Sequence, residues 1–194
     1  MVEPLTPEER RTLLGLARAA IVDRLRADGS LERLRNEARL TPALEQNRGA
    51  FVTLHVGSKD GARRLRGCIG TITAREALHL NVVHNAVHAA FDDPRFTRLE
   101  VDELPLLDVE ISALTPLRPV DGPDRVVPGR DGVLLRRGGR SAVFLPQVAT
   151  EQGWGIEELL ENLALKAGLG RDEWREAELE VFQAEVFAED AAKL

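Results

Sequence analysis

Apolar and polar positions change period several times along the chain, and each change marks an element. Leu13, Leu14, Ala17, Ile21 and Leu25 recur at helical spacing. Thr6 and Glu9 form a capping box ahead of them, and Pro7 takes the first helical position, where a missing N–H costs nothing. Gly29 is a natural stop. A short helical segment, "LERLRNEA", follows and is broken at Thr41-Pro42. The period then shortens: "GAFVTLHV" (49–56) reads as a strand by its β-branched and aromatic content. "GSKDG" (57–61) turns the chain, so a second strand through residues 63–66 pairs with the first. Cys68 then falls at or just past a strand end.

Thr73 and Glu76 suggest a second capping box, opening a helix to Ala90 and placing Cys68 just ahead of a helix N-terminus, where negative charge is favoured. On that helix Leu78, Val82, Ala86 and Ala89 make an apolar arc, with Asn81, His84, Asn85 and His88 assigned to the opposite side. "LLDVEISAL" (106–114) alternates, with Asp108, Glu110 and Ser112 on one face. Residues 116–132, rich in proline and glycine, read as a long connection. "GVLLRR" and "SAVFLP" make a hairpin at Gly138-Gly139, and "IEELLENLALKAGLG" an amphipathic helix ending at Gly168. "ELEVFQAEVF" (178–187) reads as one last strand with a bulge near Gln183. Strands punctuated by a few helices imply an α+β fold, its sheet mostly antiparallel and flanked by helices.

At 194 residues, 43% apolar and 30% charged, the chain suits one soluble domain with room for a small subdomain. The opening "MVEPLTPEERR" is acidic and polar where a secretory signal is basic and then apolar. No apolar run approaches the roughly 20 residues that span a bilayer. One cysteine excludes an internal disulfide. A cytoplasmic protein with no membrane attachment is therefore expected. A net charge of −6 disfavours duplex nucleic acid as a partner, since phosphate affinity needs basic surface. Two basic clusters survive that average; "LRRGGRS" (135–141) suits a solvated turn, whereas "RRLRG" (63–67) adjoins the cysteine.

Cys68 carries the candidate chemistry. Positive charge or a helix N-terminus activates a thiol, and Arg66 and the coming helix supply both; free cysteines also simply pack. A nucleophile wants a base. His84 and His88 have metal-ligand spacing, but "HNAVH" lacks the glutamate of the zinc-protease motif and a third ligand, so no metal is expected. His79 suits a hydrogen-bonded core position, and His55 shares a strand face with Phe51 and Thr53; neither is a secure base. In "FDDPRF" (91–96) Pro94 ends the helix, and Asp93 with Arg95 suits an ionic brace. Glu110 lies on the polar side of its strand. Phosphate-loop, dinucleotide and nucleophile-elbow motifs are missing, and no cofactor is implied.

Taken together the motifs resemble the AMMECR domain family, whose hallmark hexapeptide stands here as "LRGCIG" (65–70). "RGAFVTL" (48–54), "AAFDDPRF" (89–96), "ELPLLDVEISAL" (103–114), "GRDGVLL" (129–135), "FLPQVATEQGW" (144–154) and "KAGL" (166–169) follow in the family's order. The resemblance is to the prokaryotic type, the A component of the AmmeMemoRadiSam system. It implies one domain over residues 1–194, with a smaller lobe from part of 116–170 and the cysteine motif near a groove. It also implies two partners, a Memo-like protein and a radical-SAM protein. The residues carried over are Arg66, Gly67, Cys68 and Gly70, then Arg48, Asp93, Arg95, Glu110, Gln147, Glu151 and Trp154. "HNAVH" lies outside the family pattern, and one cysteine cannot hold the cluster of a radical-SAM enzyme.

The resemblance implies no particular reaction. Two readings follow from it. In one, Cys68 is nucleophile or covalent carrier, Arg66 favours the thiolate or binds an anionic group, and Glu110 is acid or base. The substrate is then small or nucleotide-like, by analogy with the radical-SAM partner. In the other, arginines, Trp154 and glycine-lined surface form a non-catalytic adaptor for a protein partner.

Overall fold

The computed structural model describes residues 3–57, 63–73 and 75–189. Helix α1 is Pro7–Arg26, and both halves of its capping box form: Thr6 N donates to Glu9 Oε2 at 2.7 Å and Glu9 N to Thr6 Oγ1 at 3.3 Å. Helices α2 (Ser30–Glu37) and α3 (Pro42–Glu45) follow, then strands β1 (Ala50–Gly57) and β2 (Arg63–Thr71). Apart from Gly57, the turn expected at 57–61 lies outside the described residues.

Helix α4 is Leu78–Phe91, shorter at its start than the sequence suggests. Strand β2 runs through Thr71, Ala77 bridges to Asn47, and Leu78 N donates to Gln46 O at 2.9 Å; this pairing keeps the chain extended until Ala77. Glu76 pairs with His84 instead of capping. Cys68 therefore lies within a strand and not just ahead of the start of α4. The polar arc assigned to α4 is also corrected. Asn81 and Asn85 are buried, Asn85 Nδ2 donating to Ala50 O at 3.1 Å and to Asn81 Oδ1 at 2.7 Å. At roughly 100° per residue Asn85 lies about 20° from Leu78, so it belongs to the sheet-facing arc despite its polarity.

After a 3-10 turn at Val101–Leu106 come β3 (Leu107–Leu114), β4 (Arg118–Val120), β5 (Gly132–Arg137) and β6 (Arg140–Phe144). Helices α5 (Pro146–Gln152) and α6 (Ile156–Lys166) precede β7 (Glu178–Phe182) and β8 (Ala184–Ala188). The fold is α+β, with two four-stranded sheets ordered β2-β1-β3-β8 and β4-β7-β5-β6. The chain divides into two compact units, one ending at Leu114 and resuming at Glu185, the other Thr115–Ala184.

Two expectations change here. The connection read over 116–132 contains β4, which pairs with β7. The single strand read over 178–187 is two strands in different sheets, broken at Gln183. Thr115 N donates to Gln183 O and Gln183 N to Thr115 Oγ1, both at 2.8 Å, tying together the segments that leave and re-enter the first unit. The slip in alternation marks this crossing.

In the first unit, Ala50, Val52, Leu54 and Val56 of β1 are buried in a core they share with Leu13, Ala17 and Ile21 of α1 and Leu78, Val82 and Ala86 of α4. Burying each large apolar side chain contributes about 1.5–3 kcal/mol. Phe51, Thr53 and His55 therefore face away from that core. In the second unit, Val133, Leu135, Leu179 and Val181 share a core with Leu159, Leu160 and Leu163 of α6.

Candidate functional site

Strand register builds the site. Thr53 of β1 pairs with Cys68 of β2 on one side and with Glu110 of β3 on the other. The three side chains thus lie in one row across the sheet face opposite the helical core, each half-buried. Strand spacing puts the cysteine and carboxylate positions about 10 Å apart. Phe51 and His55 stand two residues to either side of Thr53 on the same face. Glu110 has no hydrogen-bond or ion-pair partner among the described residues.

Strand β2 is an edge of its sheet. At Cys68 that edge is filled by the loop after α4. Asp93 Oδ2 accepts from Cys68 N at 2.9 Å, and Arg95 Nη2 donates to Cys68 O at 3.1 Å. A carboxylate and a guanidinium take the bonds a neighbouring strand would take, which protects the edge. Because both backbone groups of Cys68 point outward, its pairing with Thr53 is of the non-hydrogen-bonded kind, in which side chains approach most closely. Accordingly the Thr53 hydroxyl donates to Cys68 Sγ at 3.3 Å.

The ionic brace expected in "FDDPRF" is present: Arg95 Nε and Nη2 donate to Asp93 at 3.0 and 2.7 Å. The Asp93 side chain is 2% exposed and that of Arg95 56%. The bond from Arg95, against the opposing effect of burial, holds the Asp93 carboxyl far below the usual range. Arg95 is raised in turn, chiefly by Asp93, with the Cys68 side chain among the contributing neighbours. The Arg95 Nη1 has no protein partner among the described residues. The cation bonded to the cysteine residue, at its backbone carbonyl, is thus Arg95.

Arg66, expected beside the cysteine, is used elsewhere. Its buried guanidinium donates to Glu103 through Nε (2.6 Å) and Nη2 (2.9 Å), to Thr97 O through Nη1 (2.7 Å) and to Arg98 O through Nη2 (3.1 Å). A register shift between Leu54 and His55 leaves Arg66 unpaired in the β1–β2 ladder. Its role visible here is to fasten the 97–103 segment. Gly67 and Gly70 are explained by close approach. A Cβ on Gly67 would come 2.0 Å from Ala89 O of α4, and one on Gly70 would meet the Phe51 ring at 2.1 Å.

Arg48 is fully buried, donating from Nε to Leu114 O at 2.9 Å and from Nη2 to Glu185 at 3.1 Å. It anchors the start of β1 and is not in the row. Gln147, Glu151 and Trp154 belong to the second unit. Gln147 is half-buried and Glu151 exposed, while Trp154 packs on Phe144 with centroids 5.8 Å apart. His79 Nδ1 donates to Leu44 O at 3.1 Å, and His84 and His88 pair separately with Glu76 and Asp92. On the "LRRGGRS" hairpin an open cleft of about 360 Å³ is lined by Arg136, Arg137 and Arg140. These arginines engage Glu180, Glu173 with Glu176, and the Gly168 carbonyl respectively. Sequence reasoning missed Thr53 as a thiol partner, although its parity with Phe51 and His55 was available.

Comparison with known proteins bears out the family resemblance. The AMMECR1 family model matches residues 14–187. A protein from Methanothermobacter thermautotrophicus is 42% identical over 195 residues, spanning 96% of this chain and 97% of its own. One from Methanopyrus kandleri is 40% identical over 199 residues, spanning 98% and 93%. The fold is similar to the crystal structure of an uncharacterized protein from Pyrococcus horikoshii, with a TM-score of 0.73 and 35% identity, covering 92% of this chain and 90% of that one.

Proposed function

The chain belongs to the AMMECR1 family, and we propose that it is an enzyme whose nucleophile is Cys68, acting on a small substrate laid across the Cys68–Thr53–Glu110 row. The observation carrying this reading is the setting of the thiol. Sγ accepts from the Thr53 hydroxyl at 3.3 Å, and the Arg95 guanidinium is bonded to the same residue's carbonyl at 3.1 Å. A hydroxyl donor and a fixed cation are what a reacting thiolate requires. In this role Arg95 replaces Arg66. Glu110 acts as acid or base on the part of the substrate remote from sulfur. The reaction is proposed to be coupled to a Memo-like protein and a radical-SAM protein, as the family resemblance implies.

The test is alkylation of Cys68 by iodoacetamide at pH 7, followed by intact mass, in native and urea-unfolded protein. A single cysteine makes the readout unambiguous. Faster labelling of the native protein supports the reading. Protection until unfolding overturns it and favours the adaptor, for which stable co-purification with the co-expressed partners is the expected result.

A further inference from the structure

We propose that the row binds a nucleoside monophosphate lying across the strands, its phosphate on Arg95 and the donor edge of its base on Glu110; this rests on the reading of Cys68 and its face as the working site.

The row is electrically polar from end to end. At the β2 edge stands Arg95, with Nε and Nη2 engaged by Asp93 and Cys68 and Nη1 available among the described residues. On β3 stands Glu110, a half-buried carboxylate without a protein partner among the described residues. A guanidinium offers paired donors to phosphate or carboxylate oxygens, whereas a carboxylate only accepts. The ligand must therefore present an anion at one end and N–H donors at the other.

The length selects further. Cys68 and Glu110 are separated by two strand spacings, about 10 Å, and Arg95 lies outside Cys68. A free amino acid is too short for that span; an extended nucleoside monophosphate is of that length. Along the strand direction the row is walled by Phe51, whose ring lies over Gly70, and by His55. These two rings border the middle of the row, on either side of Thr53. Guanine puts two adjacent donors, N1–H and the 2-amino group, on one edge, which suits the two oxygens of Glu110. The Thr53 hydroxyl, midway along the row, lies under the sugar.

The experiment is isothermal titration of the full chain with guanosine 5′-monophosphate, guanosine, inosine 5′-monophosphate and inorganic phosphate. Saturable binding of the guanine nucleotide is expected, with guanosine, inosine monophosphate and phosphate each weaker by about tenfold or more. Glu110→Gln is expected to remove the preference for guanine over hypoxanthine, and Arg95→Gln the preference for nucleotide over nucleoside. Thermal melts show that the variants are folded, and slower alkylation of Cys68 under saturating nucleotide places the ligand on the row. No saturable binding, or affinities unmoved by both substitutions, overturns the proposal. The nucleophile reading is judged apart, by alkylation without nucleotide, so a fast-labelling thiol with no nucleotide affinity would sink only the ligand assignment.

Discussion

The carboxylate of Asp93 accepts the backbone N–H of Cys68 at 2.9 Å, across a gap of 25 residues. This bond, with the one from Arg95 to the carbonyl of the same cysteine, lets a loop stand where another strand would pair. The cysteine is therefore held from its backbone outward, by a buried anion that also fixes the nearest cation. Four of the measurable consequences concern this clamp and its surroundings.

Arg95→Gln is expected to slow alkylation of native Cys68 at pH 7 by about tenfold, since it removes the fixed positive charge. Arg95→Lys should restore part of the rate, because charge returns without the planar fork. Intact-mass time courses on the folded variants check both.

Arg66→Met separates the two arginines. It removes a buried guanidinium and leaves the half-buried Glu103 carboxylate and two backbone carbonyls without their donor, so it should lower stability by about 2–3 kcal/mol in urea titrations. Alkylation of the folded fraction should stay within about twofold of the parent, because the Arg66 donors engage Glu103, Thr97 and Arg98.

Asp93→Asn should destabilise by about 2–3 kcal/mol at pH 7, through loss of a buried charge-assisted network. The Asp93 carboxyl lies lower in the folded chain than in the unfolded one, chiefly because of Arg95. Its contribution is thus fully present above the unfolded value of about 3.9 and is lost as pH falls below it toward the folded value. The stability gap between parent and variant should be constant from pH 7 to about 5 and shrink below pH 4. A gap at pH 3 as large as that at pH 7 would contradict the assignment.

The two glycines of the hexapeptide should differ. Gly67→Ala drives a Cβ to 2.0 Å from the Ala89 carbonyl, backbone against backbone. A loss of about 3 kcal/mol, or roughly 10 °C in Tm, is expected. Gly70→Ala meets the Phe51 ring, which can rotate away, so about 1–2 kcal/mol is expected. Calorimetry orders the pair; equal losses would mean that strand and helix separate easily.

Much of this was legible along the chain. The Thr6–Glu9 box, the alternation of β1 and β3, the hairpin at Gly138-Gly139 and the Asp93–Arg95 brace are all local. Each depends on residues within a few positions of one another, and sequence spacing reports such interactions directly. Errors arose where long-range pairing overrode a local signal. Thr73 and Glu76 carry the letters of a capping box, yet the bridge at Asn47 sets the helix start at Ala77. Asn81 and Asn85 carry polar letters, yet the sheet supplies Ala50 O and Thr71 Oγ1 as partners for Asn85 and buries both. Gln183 marks a change of sheet, which alternation shows only as a slip.

The sequence by itself determined the family, the helices and most strands, and the identity of the one thiol. It also set the parity that puts Thr53 and Glu110 on the polar faces of their strands. Only the tertiary structure decided which arginine is bonded to that cysteine. Arg66 is two residues from Cys68, but a ladder irregularity leaves it outside the pairing and Glu103 captures it; Arg95 is 27 residues away and bonded to the cysteine itself. Electrostatic influence falls with distance in space. Distance in space is set by which strand edges and loops meet, a property of pairing that no local spacing records.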